Sequence, residues 1–586
     1  MTPAGQPGPA HTAAEDLAAD GVGADCTTHA ARTWSSGRWA LEARGDELAD
    51  LRCDGHVVLR AVRGVARDVD WATGWPRGVS LESGADALTL DLRIHDLGLD
   101  LAGTLRVAAD GDRLRIDLDL TALSDSPTNR VGLVVLHPPQ LAGTPLQVSH
   151  PDGSISALAF PEQVSPHQPA RDIAGLAWES AGVALELGFS GEVFEMEDQR
   201  NWTDASFKTY SRPLDLPFPY TLTAGEHVRQ SLVLTAGPSD GAESAEPSAD
   251  EVAAPPYTEA GSAAPSTAEL APTAGTASPA GSARAAEAAS VEELTWQRGG
   301  AVPAIGTGHL DLELADPDWP QRLDAALAEH PDLALWIVSP SPADLSALNE
   351  LGRHLDAASA NGARPRFIGI ADDARHVTTP ELADALRAAL PEGLPLVAGA
   401  RSHFTELNRE WDTVLAAAPS ALGFATTPLF HTLETEQLVE AVAMQRLLAE
   451  QVTERAPGLP VHVGPITLRP RFANVATSPQ PMPAPAPPVD SRAGTALHEA
   501  WTVASAAALS VPGVVSLTYE QLPTPSTALS RGENTLVTGR SEDGLVWALG
   551  DGTTLLFANL SPRPRRVHVP DAHAPLDLAS VSWRTL

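Results

Sequence analysis

Residues able to do chemistry gather in two parts of this chain. The first is the stretch VFEMEDQRNWTDASFKTYSRPLDLPFP, which begins at Val193 and carries Asn201, Asp204 and Lys208 close together. Lys208 is the only lysine, although Lys and Arg together number 39. A coding bias that turns generic positive charge into Arg spares a lysine where a compact ammonium is needed, because ammonium and planar guanidinium are not interchangeable at a specific site. Along an extended strand Glu195 and Glu197 share one face and Phe194 and Met196 the other. So dense a polar run either forms a buried, mutually satisfied network that locks a domain junction, or lines a site.

The second part is a set of segments that follow short apolar strands in the C-terminal half. RSHFTELNRE supplies His403, Glu406, Asn408 and Arg409, and TTPLFHTLE supplies His431. ITLRPRFAN supplies Arg469, Arg471 and Asn474, and TYEQ places Tyr519 and Glu520 at a strand end. Two carboxylates, a histidine and several arginines facing one pocket are the inventory for hydrolysing a polar, oxygen-rich small molecule. Each has a plainer alternative. Glu406 fits a helix N-terminus, where acids complement the dipole; His431 fits an exposed loop; Arg469 and Arg471 fit an ion-paired scaffold. Histidine and carboxylates together can hold a metal, but no HxH or HExxH spacing occurs, so no obligatory metal and no cofactor is expected.

These groups need elements to hold them. From 34 to 236, runs such as ALTLDLRIHDL, RLRIDLDLTAL and VALELGFSG place apolar residues at every second position, which predicts antiparallel strands and a large β-sandwich. Residues 237–295 are Ala, Pro, Ser, Glu and Gly with almost no large apolar side chain, and read as a disordered tether. Residues 1–33 read as a disordered N-terminus. From 296 to 530 buried-type strands (PAIGTG, LALWIVS, RFIGIAD, LPLVAGA, LGFATTP, PVHVGPITL, GVVSLTYE) alternate with helical patterns, which predicts a TIM-type (β/α) barrel with reacting groups at the C-terminal ends of its strands. Seven strands are apparent, which leaves closure open. Residues 531–586 return to β and read as a small C-terminal β-domain. The fold class is therefore multidomain α/β plus β.

Acids outnumber bases 75 to 39, for a formal charge of −36. Such a surface, with no basic stripe, repels nucleic acid and anionic membranes. The 2 cysteines, Cys26 and Cys53, make neither a disulfide framework nor a CxxC spacing. MTPAGQPGPAHTAAEDLAADG lacks a basic region followed by an apolar core, and no apolar run is long enough to span a bilayer, so a cytoplasmic protein without nucleic-acid or membrane partners is expected. The oligomeric state is not readable.

FEMEDQRNWTDASFKTY, followed by RPL and PFP, resembles the D-apionate lactonase family. So do NRVGLVVLHP with Asn129 and Arg130, AGTPLQVSHPDG, FPEQVSPHQPARDI, FTELNR, TLRPRFAN and the helix from Arg492 to Trp501. The resemblance implies hydrolysis of a small-molecule sugar lactone, D-apionolactone, to D-apionate in apiose breakdown. It also implies an N-terminal β-domain, a TIM barrel and a C-terminal β-domain. The chain departs from the family in its tether and in Pro428-Leu429-Phe430-His431, where a proline-glutamine-valine-histidine run is expected. For ring opening, residue chemistry nominates Glu520 as general base, His431 as the acid that protonates the alkoxide, and Arg471 as a carbonyl-polarising donor. Glu406, Asn408, Arg409, Lys208, Asp204 and Asn201 are nominated to bind substrate. A retaining glycoside hydrolase using Glu406 and Glu520 is the alternative, although Thr405 stands before Glu406 where such barrels usually carry Asn. A non-catalytic sugar-acid-binding paralogue is a third reading.

Overall fold

The period-two runs of the N-terminal half pair as two antiparallel nine-stranded sheets packed face to face. One sheet runs through Arg32–Ser36, Trp39–Arg44, Glu47–Cys53, His56–Arg67, Arg130–His137, Phe207–Tyr210, Phe194–Asp198 and Ala170–Ile173. Alternation sets which face is buried: Leu88, Leu90, Leu92 and Ile94 of the second sheet join Leu51, Leu59, Leu133 and Val135 of the first in one core. RVGLVVLH does not follow the half-wet pattern, for it is buried from Val131 to His137. Its even-numbered Val134 and Leu136 form a separate apolar patch with Ala61 and Tyr210 on the outer face. That face is covered by the next domain, to which Arg60 Nε donates at Glu440 Oε2, 2.8 Å away on the helix Thr435–Arg455. A near-continuous apolar run is the signature of a strand covered on both sides.

The computed structural model describes residues 31–238, 291–390, 396–472, 489–522, 532–570, 572 and 574–586. The expected N-terminal disorder up to residue 30, the tether between 239 and 290, Asn474 and residues 523–531 lie outside the described residues. Among the described residues no helix is long and apolar enough to cross a membrane.

The strand-helix alternation forms a parallel sheet. His309–Glu313, Ala334–Ser339, Phe367–Asp372, Leu396–Ala400, Ala421–Thr426, Val461–Ile466 and Val514–Tyr519 pair in chain order. Ala304–Gly306, two residues upstream of the first of these, pairs with the last through Ala304 to Ser516 and Gly306 to Thr518. Hydrogen bonding thus runs round through one broken first strand and back to it. The break is at Thr307–Gly308; Gly308 has φ +88, and a Cβ there would lie 2.8 Å from the His330 ring. Arg366 spans the gap, donating to Thr518 Oγ1 at 2.7 Å and Thr307 O at 3.2 Å. Trp336 and Phe367, with ring centroids 5.8 Å apart, fill the interior beside His462, so this is a packed core and not a pore.

Thr295–Val302, read from sequence as the tether's end and the barrel's start, instead pairs with Gly532–Arg540 in a five-stranded sheet with Val546–Gly550, Leu555–Asn559 and Ser582–Thr585. Only the tertiary pairing shows this, because the segment's local pattern suits any strand.

The sandwich is fixed to the barrel by the short helical turn Gln199–Trp202, buried throughout. Asp198 caps it by accepting from Arg200 N. The Arg200 guanidinium forks back onto Asp198 at 2.8 and 2.7 Å, donates to Pro161 O at 2.7 Å and lies 4.3 Å over Phe207. Their side chains are 2% and 0% exposed. From the barrel, Thr405 Oγ1 donates to Asn201 O at 2.7 Å and Asn408 Nδ2 to Asn201 Oδ1 at 3.1 Å. Removing one member of a buried pair strands the other charge. Arg200→Met is therefore expected to cost about 3–5 kcal/mol in denaturant unfolding, while Asp198→Asn with Arg200→Met together costs less than Arg200→Met alone.

Candidate active site at the sandwich-barrel junction

Strand register builds the site. On the outer face of the first sheet, Glu197 lies opposite Lys208, and Lys208 opposite Leu136. One register step along, Glu195 lies opposite Tyr210, Tyr210 opposite Val134, and Val134 opposite Arg63; further on, Arg130 lies opposite Arg67. Residues two apart on a strand share a face, so these side chains form one floor. The barrel supplies the opposing wall through His431, Thr432 and Gln437, which leaves a cleft between the two domains.

Within it, Lys208 Nζ is 2.5 Å from Glu197 Oε2, and Trp202 Nε1 donates to Glu197 Oε1 at 2.8 Å. Burial, the largest influence on Glu197, acts to raise its pKa, but the Lys208 charge and these hydrogen bonds outweigh it and hold the carboxyl well below its ordinary range. Across the cleft, His431 Nδ1 lies 2.7 Å from Asp204 Oδ2, with both side chains buried. A carboxylate partner fixes the Nδ1–H tautomer and leaves the lone pair on Nε2. Burial pushes the His431 pKa below its usual 6.5, partly opposed by Asp204. The ring is therefore neutral at pH 7, with its basic nitrogen available. A histidine oriented by a carboxylate, beside an ammonium, is an arrangement that can activate water and polarise a carbonyl.

The residues nominated from sequence divide. Lys208, Asp204 and His431 line this cleft together. Asn201 and Asn408 serve the junction, where Asn408 also bonds Val164 O at 3.1 Å and accepts from Arg455 at 2.8 Å. Arg409 lies over Trp202 at 5.3 Å. Glu406 is buried in the first turn of Phe404–Arg409, accepting from Ser402 Oγ at 2.8 Å. Glu520 is exposed, its backbone N–H donating to Ile466 O at 3.0 Å. Arg471 sits at the barrel mouth in an ion-pair cluster: it bonds Asp311, which is also 2.9 Å from His309 Nε2 and 3.3 Å from Arg401 Nη1. None of Glu406, Arg409, Arg471 and Glu520 lines the junction cleft. Sequence reasoning passed over Arg67, Arg130 and Tyr210, which also line the cleft. The register of HVVLRAVRGVAR, with Arg63, Val65 and Arg67 on one face, was the available signal for the first.

Two family descriptions agree with the sandwich and barrel domains. The family description "D-apionate lactonase, N-terminal domain" matches residues 20–239, and "D-apionate lactonase, TIM barrel domain" matches residues 284–552. The chain belongs to the D-apionate lactonase family. Membership makes it a lactonase, a carboxylic-ester hydrolase that acts on a sugar-acid lactone. A curated member, the D-apionate lactonase of Brucella anthropi, is 28% identical over 528 residues, covering 86% of this chain and 85% of that one. Among solved structures, a putative aldose 1-epimerase of Escherichia coli K12 is similar over 36% of this chain and 99% of its own, at 14% identity and a TM-score of 0.28. An alpha-galactosidase of Geobacillus stearothermophilus is similar over 95% of this chain and 99% of its own, at 9% identity and a TM-score of 0.26.

For this lactonase, the Lys208–Glu197 pair generates a stability test. Lys208→Met leaves a half-buried carboxylate without its cation and is expected to lower unfolding free energy by about 1–3 kcal/mol, with Glu197→Gln in the same chain recovering most of it. Because the folded Glu197 carboxyl titrates below its unfolded value of 4.5, its contribution is present above that pH and is lost as pH falls through the lower folded value. Denaturant midpoints of the wild type and Glu197→Gln, compared from pH 6 downward, are therefore expected to converge.

Proposed function

We propose that this chain opens D-apionolactone to D-apionate in the cytoplasmic breakdown of apiose, with the junction cleft as its active site. The observation that carries the reading is the His431–Asp204 pair, 2.7 Å apart and facing Lys208 across one cleft in a chain of the lactonase family. The curated relative's name supplies the substrate.

In this reading the neutral His431 Nε2 takes a proton from water as the water oxygen attacks the lactone carbonyl carbon. Lys208, held by Glu197, donates to the carbonyl oxygen as it becomes an oxyanion. Asp204 stabilises the imidazolium. Collapse of the tetrahedral intermediate breaks the ring C–O bond, and the departing alkoxide takes the proton back from Nε2. One water is consumed, and the new carboxylic acid loses its proton to solvent. His431 thus serves first as base and then as acid, and the base nominated at Glu520 is not required.

His431→Gln is expected to lower kcat on D-apionolactone by about a hundredfold or more, the ordinary contribution of a general base. Glu520→Gln is expected to leave kcat within about threefold, since the reading gives it no proton to move. A large loss in Glu520→Gln with near-normal His431→Gln would return the base to the barrel mouth. Assays on D-apionolactone, common aldonolactones and aryl glycosides, with spontaneous lactone opening subtracted, test the substrate. Because the base must be unprotonated and burial lowers its pKa, kcat/KM is expected to hold through pH 6.5 and decline only at lower pH.

A further inference from the structure

Arg67 and Arg130 are direct cross-strand partners, and both line the cleft. Like charges facing each other on one sheet face destabilise a sheet, so this pair needs a reason. The neighbouring cations are neutralised within the protein. Arg63 is forked on Asp46 at 2.7 and 3.0 Å, Arg60 bonds Glu440 at 2.8 Å, and Lys208 is 2.5 Å from Glu197. Arg130 reaches Glu195 only at 4.0 Å, and that carboxylate's Oε1 already accepts from Tyr210 Oη at 2.5 Å and Leu214 N at 2.8 Å. The Arg130 guanidinium is sandwiched between the Trp71 and Tyr210 rings, 5.0 and 4.2 Å from their centroids, and its Nε is buried with no hydrogen-bond partner among the described residues. Arg67 commits Nη1 to Trp71 O at 3.2 Å and Thr73 Oγ1 at 2.5 Å. Among the described residues, no carboxylate lies at ion-pair distance from Arg67 and neither its Nε nor its Nη2 has a hydrogen-bond partner. Burial, with Arg130 and Arg63 adding to it, pushes the Arg67 pKa down to about 10.

Two adjacent guanidiniums with unused donors, in a cleft, match the planar two-oxygen geometry of a carboxylate. Glu197 and Asp204 lie within the field of Arg67, which disfavours a dianion such as phosphate. We propose that Arg67 and Arg130 together seat the carboxylate of an open-chain sugar acid, so that the cleft binds aldonate anions in addition to neutral lactones. The proposal rests on the lactone-opening reading for its choice of ligand. The reaction creates this group: the carbonyl carbon of a neutral ring becomes an anion, which the paired arginines then hold.

The test is calorimetric titration of the full chain with D-apionate, with D-gluconate, and with the lactam analogue of the sugar lactone, which is neutral and is not opened. The wild type is expected to bind the aldonates, and Arg67→Gln to weaken them by about tenfold or more while the lactam weakens by less than about threefold. Equal losses for anion and lactam, or no aldonate binding by the wild type up to about 10 mM, would overturn the proposal. Where Arg67→Gln does not fold, Arg67→Lys takes its place. It keeps the charge but not the fork, and an anion-selective loss of about threefold or more supports the seat, whereas no selective loss overturns it. The two readings fail separately. Lactone turnover without aldonate binding sinks the carboxylate seat and leaves the hydrolase; aldonate binding through Arg67 without turnover of any lactone keeps the seat and sinks the hydrolase.

Discussion

The Asp198–Arg200 ion pair, buried within the sandwich where it braces the turn that meets the barrel, is the constraint on which the cleft depends. Charges so buried carry a desolvation penalty that only full pairing offsets, so the turn around them has one satisfactory arrangement. An apolar seam of the same area would tolerate sliding. Here, a shift would break the Asn201 bonds to Thr405 and Asn408 together. The same chain segment that locks the domains also carries Asp204 and Lys208 into the cleft, with Glu197 holding Lys208. The His431–Asp204 contact joins a barrel loop to the sandwich across the same junction.

The polar run at 193–219 offered two readings, a junction network or a site lining, and the molecule uses both. Alternation along the chain separates them. Asn201 goes to the seam and Asp198 and Arg200 brace the turn that carries it, while Lys208 and Tyr210, on alternate strand positions, line the cleft. The sandwich and barrel strands were legible because burial imposes a period on local sequence. The broken first barrel strand was less so, since Ala304–Gly306 and His309–Glu313 make one strand only through their different partners.

Site residues were legible where rarity marked them. Lys208 stands out in a chain whose other bases are all Arg, whereas Arg67 and Arg130 are hidden by that same bias. Their significance comes from register, which pairs residues far apart in sequence and leaves no local trace. The rule that barrel chemistry sits at strand C-termini found His431 but also gathered Glu406, Arg471 and Glu520 around it. It is blind to a second domain that covers part of the mouth. The Gln199–Trp202 turn and the strands flanking it put the sandwich beside the fifth-strand loop, leaving Arg471 with Asp311 at the mouth and Glu520 exposed.

Net charge and cleft charge have opposite signs in the regions that matter. The chain carries −36 overall, yet in the cleft, where Arg60, Arg63 and Lys208 are paired with carboxylates, Arg67 and Arg130 remain as cations without a close counter-charge. Surface charges are screened beyond about 10 Å at 0.1 M salt, so a ligand inside the cleft responds mainly to the groups that line it. A neutral lactone enters without feeling the outer field. An anionic product is held while it sits against guanidiniums and repelled once it reaches the acidic surface, which opposes its return. An acidic exterior around a locally cationic cleft therefore suits a reaction whose substrate is uncharged and whose product is an anion.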